Sequence, residues 1–482
     1  MGILVVDVGT SGVRAAVVRP DATFGPVAYR EVLPLTPAAG LVELDAAAVA
    51  AAALEVAARA TDAAGGPGEV EAVGIANQRA TAVVWDRATG VPVGPGIGWQ
   101  DLRTVGTCLM LQAQGLRLAP NASATKLAYL LDTYDWGRER DLAFGTIDTW
   151  VAWTLSGGAL HVTDATNAAV TGLVTAAAPV WDPAVLEALR IPASTLATIV
   201  DSSGVVGTCD ALDGAPALAG LVGDQQASLI GQGCVAPGQA KVTFGTGGML
   251  DCITGERVGS STRCEGGSFP IIARQRAGAP VWGVEAVMLS AGSCVEWLRD
   301  DLGLIASAAD SEAVARGCVD SAGVWFVPAL LGLGTPRWDF GARGTLLGIT
   351  RGSGRAEVVR AVLEGIAHRG ADLLEAAEMD AGLTIDHLRV DGGMSANSLF
   401  VQALADATQR PIEVSPVLEA TTLGAAYLAG LAIGVWSDEG EIAAAWRPSR
   451  VVEPAGNPDR DRWRMAVDRA ASWIPELSTL DF

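Results

Sequence analysis

Residues 7–14 read DVGTSGVR, Asp7 to Arg14, and break an apolar run that begins at Gly2 and resumes from Ala15 to Val18. Two apolar runs around Gly9, Thr10, Ser11 and Gly12 predict a β-hairpin whose turn admits a close backbone or ligand and offers N–H and hydroxyl donors. Such a turn suits phosphate oxygens, and Asp7 at the strand end suits a hydrated magnesium ion. An ordinary tight turn has the same composition, so the pattern gains meaning from its recurrence. About half a chain later, Lys241 to Phe244 runs into Gly245, Thr246, Gly247 and Gly248, followed by Met249 and Leu250. Two halves that each open on a strand, a Gly/Thr turn and a second strand predict a duplicated α/β domain with a nucleotide between the copies. The division falls at Gly233, giving units 1–233 and 234–482 connected through Ala236, Pro237 and Gly238.

Near the end of the first unit stands LVGDQ, Leu221 to Gln225. Ala217 to Val222 is a short apolar segment, Gly223 allows close approach, and Asp224 and Gln225 are polar where the run stops. Strand ends carry the ligand-binding groups of open α/β folds, although Asp224 capping a helix from Gln225 to Gly231 accounts for the same residues. A third glycine turn follows the strand Leu388 to Val390: Asp391, Gly392, Gly393, Met394, Ser395, Ala396 and Asn397 open a helix whose free N–H groups suit a nucleotide. In NQRATAVVWD, Asn77, Gln78 and Arg79 separate the strands Val73 to Ala76 and Thr81 to Trp85, and Asp86 to Gly90 is the next turn. Trp99, Asp101 and Arg103 lie close together within Gly98 to Arg103, a mixture suited to a small hydroxylated ligand. A solvated Asp101/Arg103 pair beside a packed tryptophan is the structural alternative.

At 482 residues the chain suits two large domains, and a net charge of -21 argues against nucleic acid and anionic membranes as partners. Seven scattered cysteines without a CxxC pair argue against a zinc site or a disulfide framework and favour a reducing cytoplasm. No signal-peptide pattern is read at the N-terminus. Ala46 to Ala60 carries Glu55 and Arg59 at i,i+4, which makes it a surface helix and not a membrane span. Further helices are predicted at Thr125 to Leu131, Asp148 to Leu155, Ala286 to Leu298, Glu357 to Met379 and, as the last one, Thr422 to Leu431. His161 to Thr166 reads as a loop with His161 structural, and Pro328 to Arg337 as an irregular loop. Three histidines and no nucleophile motif argue against a Ser/His/Asp hydrolase.

Taken in order, DVGTSGVR, NQRATAVVWD, GWQDLRT, FGTIDTW, HVTDATN, GDQQASLIGQ, FGTGG, GLGTPRWDFGARGTLLGITRG, RVDGGMSAN and LGAAYLAG resemble the FGGY carbohydrate kinases over nearly the whole chain, and among them the glycerol kinases. The resemblance implies two actin/hexokinase-type (ribonuclease H-like) α/β domains around an ATP cleft. It implies that Asp224 accepts the proton of the acceptor hydroxyl and that Asp7, with Asp224, holds Mg2+. Thr10, Ser11, Arg14, Thr246 and Gly247 would surround the phosphates, and Gly292, Glu296, Gly393, Met394 and Asn397 would border the adenosine. Phosphoryl transfer needs alignment and charge stabilisation and no covalent nucleophile. A small polyol or sugar is the implied partner, and family members often associate as homodimers or homotetramers.

Arg79, Trp99, Asp224 and Gln225 match the glycerol-contacting positions of that family. Three exchanges depart from it: Ala80 stands where a Glu is expected, Asn121 where a Tyr is, and Met249 where a Phe is. Losing a carboxylate, a phenol and an aromatic wall favours a longer polyol or a ketose over glycerol, and Asp101 resembles the WxD arrangement of xylulose-kinase-like members. A non-catalytic nucleotide sensor of the same fold is the other class, against which the retention of both Asp7 and Asp224 argues.

Overall fold

The computed structural model describes residues 1–256, 263–417 and 419–481. Its first sheet has six strands in the order Ser203–Thr208, Ala217–Gly223, Val70–Asn77, Gly2–Val8, Gly12–Val18 and Ala28–Glu31. The second has seven, in the order Phe269–Arg276, Ala279–Met288, Gly248–Gly255, Ala240–Phe244, Leu388–Asp391, Ile412–Val414 and Arg450–Val452. Each is built on the same plan. An opening strand pairs antiparallel with its hairpin partner on one side and parallel with a later strand on the other, and a further parallel strand follows that one. The recurrence seen in the sequence is therefore a duplicated sheet.

Helices cover the first sheet for reasons visible along the chain. Ala46–Ala64 starts where Asp45 accepts the Ala48 N–H at 2.9 Å and stops at Gly65, whose φ of 116° ends the helix in the left-handed region. Val49, Ala52, Ala53, Val56, Ala57 and Ala60 bury one face, and Glu55 pairs with Arg59 and Arg30 on the other. In the second half, Arg355–Ala381 buries Val359, Val362, Leu363, Ile366 and Leu373 completely. At about 1.5–3 kcal/mol for each large aliphatic side chain, that stripe is explained by the core alone.

Helix Ala420–Ile433, from the second half of the chain, packs on the first sheet and against helix Asp224–Gly231. Its small residues permit backbone contact: a Cβ on Gly424 would lie 1.8 Å from the Ala227 carbonyl oxygen, and one on Gly231 would lie 1.9 Å from that of Ala420. Three predicted elements differ from the structure. Ala286 to Leu298 is the end of strand Ala279–Met288 followed by helix Gly292–Asp300, because alternating Val284, Ala286 and Met288 are buried between two antiparallel neighbours. His161 to Thr166 is strand Val162–Asp164 leading into helix Ala165–Ala169, capped by Asp164. Thr422 to Leu431 is not the last helix, since Glu439–Ala445, Arg460–Ala470 and Pro475–Ser478 follow, and the charged Arg460–Ala470 docks through Trp463, Ala466 and Val467.

Two stability predictions follow from this packing. Gly424→Ala should lower the denaturation midpoint by the equivalent of about 3 kcal/mol, because the helices cannot part locally without opening the core. His368, stacked on Trp463 with ring centroids 4.9 Å apart, is held down to about 4 by burial and then by Arg460. Above its ordinary pKa of 6.5 both folded and unfolded imidazoles are neutral; between 6.5 and about 4 only the unfolded one takes a proton. Stability should therefore fall on acidification through that window by on the order of 3 kcal/mol, and His368→Gln should flatten the dependence in denaturant titrations at pH 7 and 4.

Candidate active site

Strands Gly2–Val8, Val70–Asn77 and Ala217–Gly223 are parallel neighbours, and their register aligns Val8 and Gly223 with Asn77. Their carboxyl ends therefore present Asp7, Arg79 and Asp224 at one edge of the sheet. Gln78 ties the middle loop to the first hairpin, donating its N–H to Val8 O at 2.7 Å and its Nε2 to Gly9 O at 3.3 Å. Gly223 is needed beneath the arginine, because a Cβ there would sit 2.7 Å from Arg79 Cδ. The Asp224 carboxylate accepts the Gln225 N–H at 2.8 Å, lies 3.4 Å from Arg79 Nε, and keeps 32% of its side chain accessible. Here Asp224 is the first residue of its helix and Gly223 the cap.

Behind this edge the HVTDATN motif forms a brace. Asp164 accepts from Ser202, Thr166 and Asn167; Thr166 Oγ1 accepts the Gly223 N–H at 2.9 Å; and Asn167 exchanges amide hydrogen bonds with Asn77. The two strand ends that carry Arg79 and Asp224 are thus held by one buried polar network. His161 is structural: its ring lies edge-on to Trp85, and its Nε2 is 2.8 Å from Phe144 O.

The second sheet contributes residues that sequence reading missed. Cross-strand register sets Lys241 opposite Asp251 and Asp251 opposite Glu285. Lys241 Nζ is 2.8 Å from Asp251 Oδ2 and donates to Gln225 Oε1 at 2.7 Å, while Glu285 Oε2 is 2.7 Å from Arg79 Nη2. Met249, half-buried, precedes Asp251 by two residues on the same strand and so shares its face. The available signal was a Lys, an Asp and a Glu inside otherwise apolar strands.

At the other end, Thr10 and Ser11 stand at the first hairpin turn, and Arg14 lies 3.6 Å from Asp7 and 2.7 Å from Glu419. The second turn is knitted to helix Gly292–Asp300: Gly292 N–H reaches Gly245 O, and Ala291 and Ser293 N–H reach Thr246 O. A Cβ on Gly392 would meet Phe244 O at 2.4 Å, so the turn before Gly393 and Met394 converges on the same strand end as Thr246 and Gly247. Asn397 caps the following helix through the Phe400 N–H and also donates to Ser311, and Glu296 is exposed one turn after Gly292.

Burial raises the Asp7 carboxyl to about 7 against the pull of Arg14, with Asp224 and Glu419 adding to the rise. Enclosure also raises Asp224, opposed by Arg79, the Gln225 N–H and Lys241. Two carboxylates pushed toward protonation by shared enclosure fit a divalent cation. Among the described residues no group of three or more His, Cys, Asp or Glu is placed to hold a metal ion by side chains alone.

The remaining predicted substrate positions divide. Trp99 is half-buried, and its carbonyl and that of Asn121 accept from Lys126 Nζ at 3.0 and 3.1 Å. Burial draws this ammonium down to about 7 against the pull of Asp101. Ala80 is buried with a φ of 61° and supplies no side-chain acceptor, while Asn121 is exposed. Asp101 is a correction: its side chain is fully buried, accepting from Val42 N–H at 2.6 Å and from Arg103, so it braces the loop and does not face an acceptor. Its pair with Arg103 exists but is not solvated.

Two sheets of one plan, with carboxylates at the strand ends and Gly/Thr turns on both copies, define the actin- and hexokinase-type two-domain phosphotransferases. Residues 2–231 and 240–433 match the N-terminal and C-terminal domains of the FGGY family of carbohydrate kinases, and the chain belongs to that family. It is 44% identical to the glycerol kinase of Aromatoleum aromaticum over 98% of this chain and 99% of that one. Among solved structures it is similar to Plasmodium falciparum glycerol kinase with ADP, at a TM-score of 0.89 and 28% identity, covering 100% of this chain and 99% of the other. Ligand-bound xylulose kinase from Lactobacillus acidophilus shares the fold at a TM-score of 0.86 and 20% identity, covering 99% and 98%. The protein is accordingly an ATP-dependent carbohydrate or polyol kinase.

If Asp224 is the base, Asp224→Asn should cut kcat by about 10²–10⁴-fold in an ADP-release assay. Nucleotide affinity by calorimetry should stay within about threefold, and near-normal turnover would remove Asp224 from that role.

Proposed function

We propose that this kinase phosphorylates a hydroxyl of a small neutral polyol, with glycerol the first candidate acceptor. The observation that carries this is Asp224 beside Arg79 at the strand ends, one carboxylate to take a proton and one guanidinium to hold oxygen, with Trp99 and Met249 as apolar surfaces for carbon. The near-full-length similarity to glycerol kinases weighs for glycerol and against the larger acceptor that Ala80, Asn121 and Met249 suggest by themselves.

In this reading Asp224 accepts the hydroxyl proton as the oxygen attacks the γ-phosphorus of ATP, and Arg79 and Gln225 orient the acceptor. Thr10, Ser11, Arg14, Thr246 and Gly247 donate to the phosphates. Gly292, Glu296, Gly393, Met394 and Asn397 border the adenosine. Asp7 and Asp224 would hold Mg2+, which when bound offsets phosphate charge. From seven scattered cysteines without a CxxC pair we place the enzyme in a reducing cytoplasm. Among the described residues no helix is long and apolar enough to cross a membrane.

An ADP-release assay with magnesium and ATP across glycerol, tetritols, pentitols and pentuloses tests the acceptor. Glycerol should give the highest kcat/KM; a pentulose ahead of it by tenfold would establish the ketose reading, and silence across the panel would reject both.

A further inference from the structure

The resemblance to glycerol kinases implies a carboxylate beside Arg79, and Ala80 does not supply one. The structure brings one from elsewhere. Glu285 sits in Ala279–Met288 between buried Val284 and Ala286, yet its side chain turns to the first sheet and pairs with Arg79 at 2.7 Å. It lies across the register from Asp251, itself paired with Lys241, and Lys241 in turn holds Gln225, the residue after Asp224. Glu285 and Arg79 retain 10% and 12% side-chain exposure, so the pair is enclosed but reachable, whereas Asp251 and Lys241 are sealed.

The donor count of the guanidinium matters here. Arg79 has five N–H donors; Nε faces Asp224 at 3.4 Å, Nη1 faces Gln226 Oε1 at 3.4 Å, and Nη2 faces Glu285. Two donors remain for ligand oxygens, beside a carboxylate that accepts from ligand hydroxyls. Adjacent donor and acceptor groups suit two neighbouring hydroxyls, each of which both gives and receives a hydrogen bond. The charges also select: three carboxylates, Asp224, Asp251 and Glu285, are gathered around two cations, Arg79 and Lys241, which disfavours an anionic acceptor.

We propose, resting on the phosphotransferase reading above, that Glu285 is a specificity-determining contact that accepts a non-reacting hydroxyl of the acceptor while Arg79 donates to its neighbour. The pair supplies from the second sheet the carboxylate absent at Ala80. It makes the acceptor a neutral polyol with adjacent hydroxyls and excludes sugar acids such as gluconate.

The test compares wild type, Glu285→Gln and Glu285→Asp by steady-state kinetics with glycerol, 1,2-propanediol, 1,3-propanediol and gluconate. Glu285→Gln should raise the glycerol KM about 10- to 100-fold, the range for losing a hydrogen bond to a charged group, with the ATP KM within twofold. The penalty should shrink to under threefold on whichever propanediol lacks the hydroxyl that Glu285 holds, and wild type should reject gluconate. An equal loss on glycerol and both diols, or an unchanged glycerol KM, overturns the inference, as does efficient gluconate turnover. If Glu285→Gln melts far below wild type, Glu285→Asp carries the test: it keeps the charge opposite Arg79 but withdraws the oxygens by one methylene, and it should show the same diol-dependent penalty. Wild-type turnover of glycerol with a silent Glu285 effect defeats the inference alone; a wild type that turns over no acceptor of the wider panel defeats the phosphotransferase reading and the inference with it. If another acceptor of that panel leads, the same comparison is made with it and its analogue lacking one non-reacting hydroxyl.

Discussion

A sheet covered by helices on both faces cannot hold uncompensated charge in its interior, and this constraint sets where the chemistry lies. In the first sheet, Ile3 to Val6, Ala72 to Ala76 and Leu218 to Val222 are buried among apolar side chains or glycine. Polar groups can enter only where these parallel strands stop, so Asp7, Arg79 and Asp224 collect at one edge. Parallel pairing then makes the edge a single place, since all three strands end in the same direction.

Backbone-close packing stabilises that edge from below. Helix Asp224–Gly231 begins at the cleft and crosses Ala420–Ile433 so closely that Gly231 and Gly424 leave no space for a methyl group. The Asp224 carboxylate is therefore carried on an element wedged between parts of both halves of the chain. Asp391 extends the link: Ser228 of the same helix and Gln232, its C-cap, donate to the Asp391 Oδ2, and the third glycine turn begins at the next residue. The first-sheet strand ends and the third glycine turn share one mechanical support.

The second sheet breaks the apolar rule at Lys241, Asp251 and Glu285 and compensates by pairing. Each charge has an opposite partner within 2.8 Å, one of them, Arg79, from the other sheet. Burial and the neighbouring Asp251 raise the Glu285 carboxyl while Arg79 lowers it. Removing one member of such a set leaves its partner buried and unpaired, a cost that binds the two sheets to a particular approach.

Local chemistry determined much of this protein. Apolar runs broken by Gly, Thr and Asp set the two hairpins, their recurrence set the duplicated α/β plan, and LVGDQ and NQRA marked strand ends, because turn preference and hydrophobic periodicity act over a few residues. Where two structures share a short apolar window, as in Ala286 to Leu298, periodicity misled, and antiparallel neighbours on both sides decided for strand up to Met288. Side-chain roles were less legible. Asp101 reads as a ligand group until Val42 and Arg103 are seen to consume it, and Glu285 reads as an isolated acid in a strand until Arg79 is seen opposite. Tertiary structure alone decided these, because strand register and the approach of the two sheets set which charges meet, and neither is encoded within any one stretch of sequence.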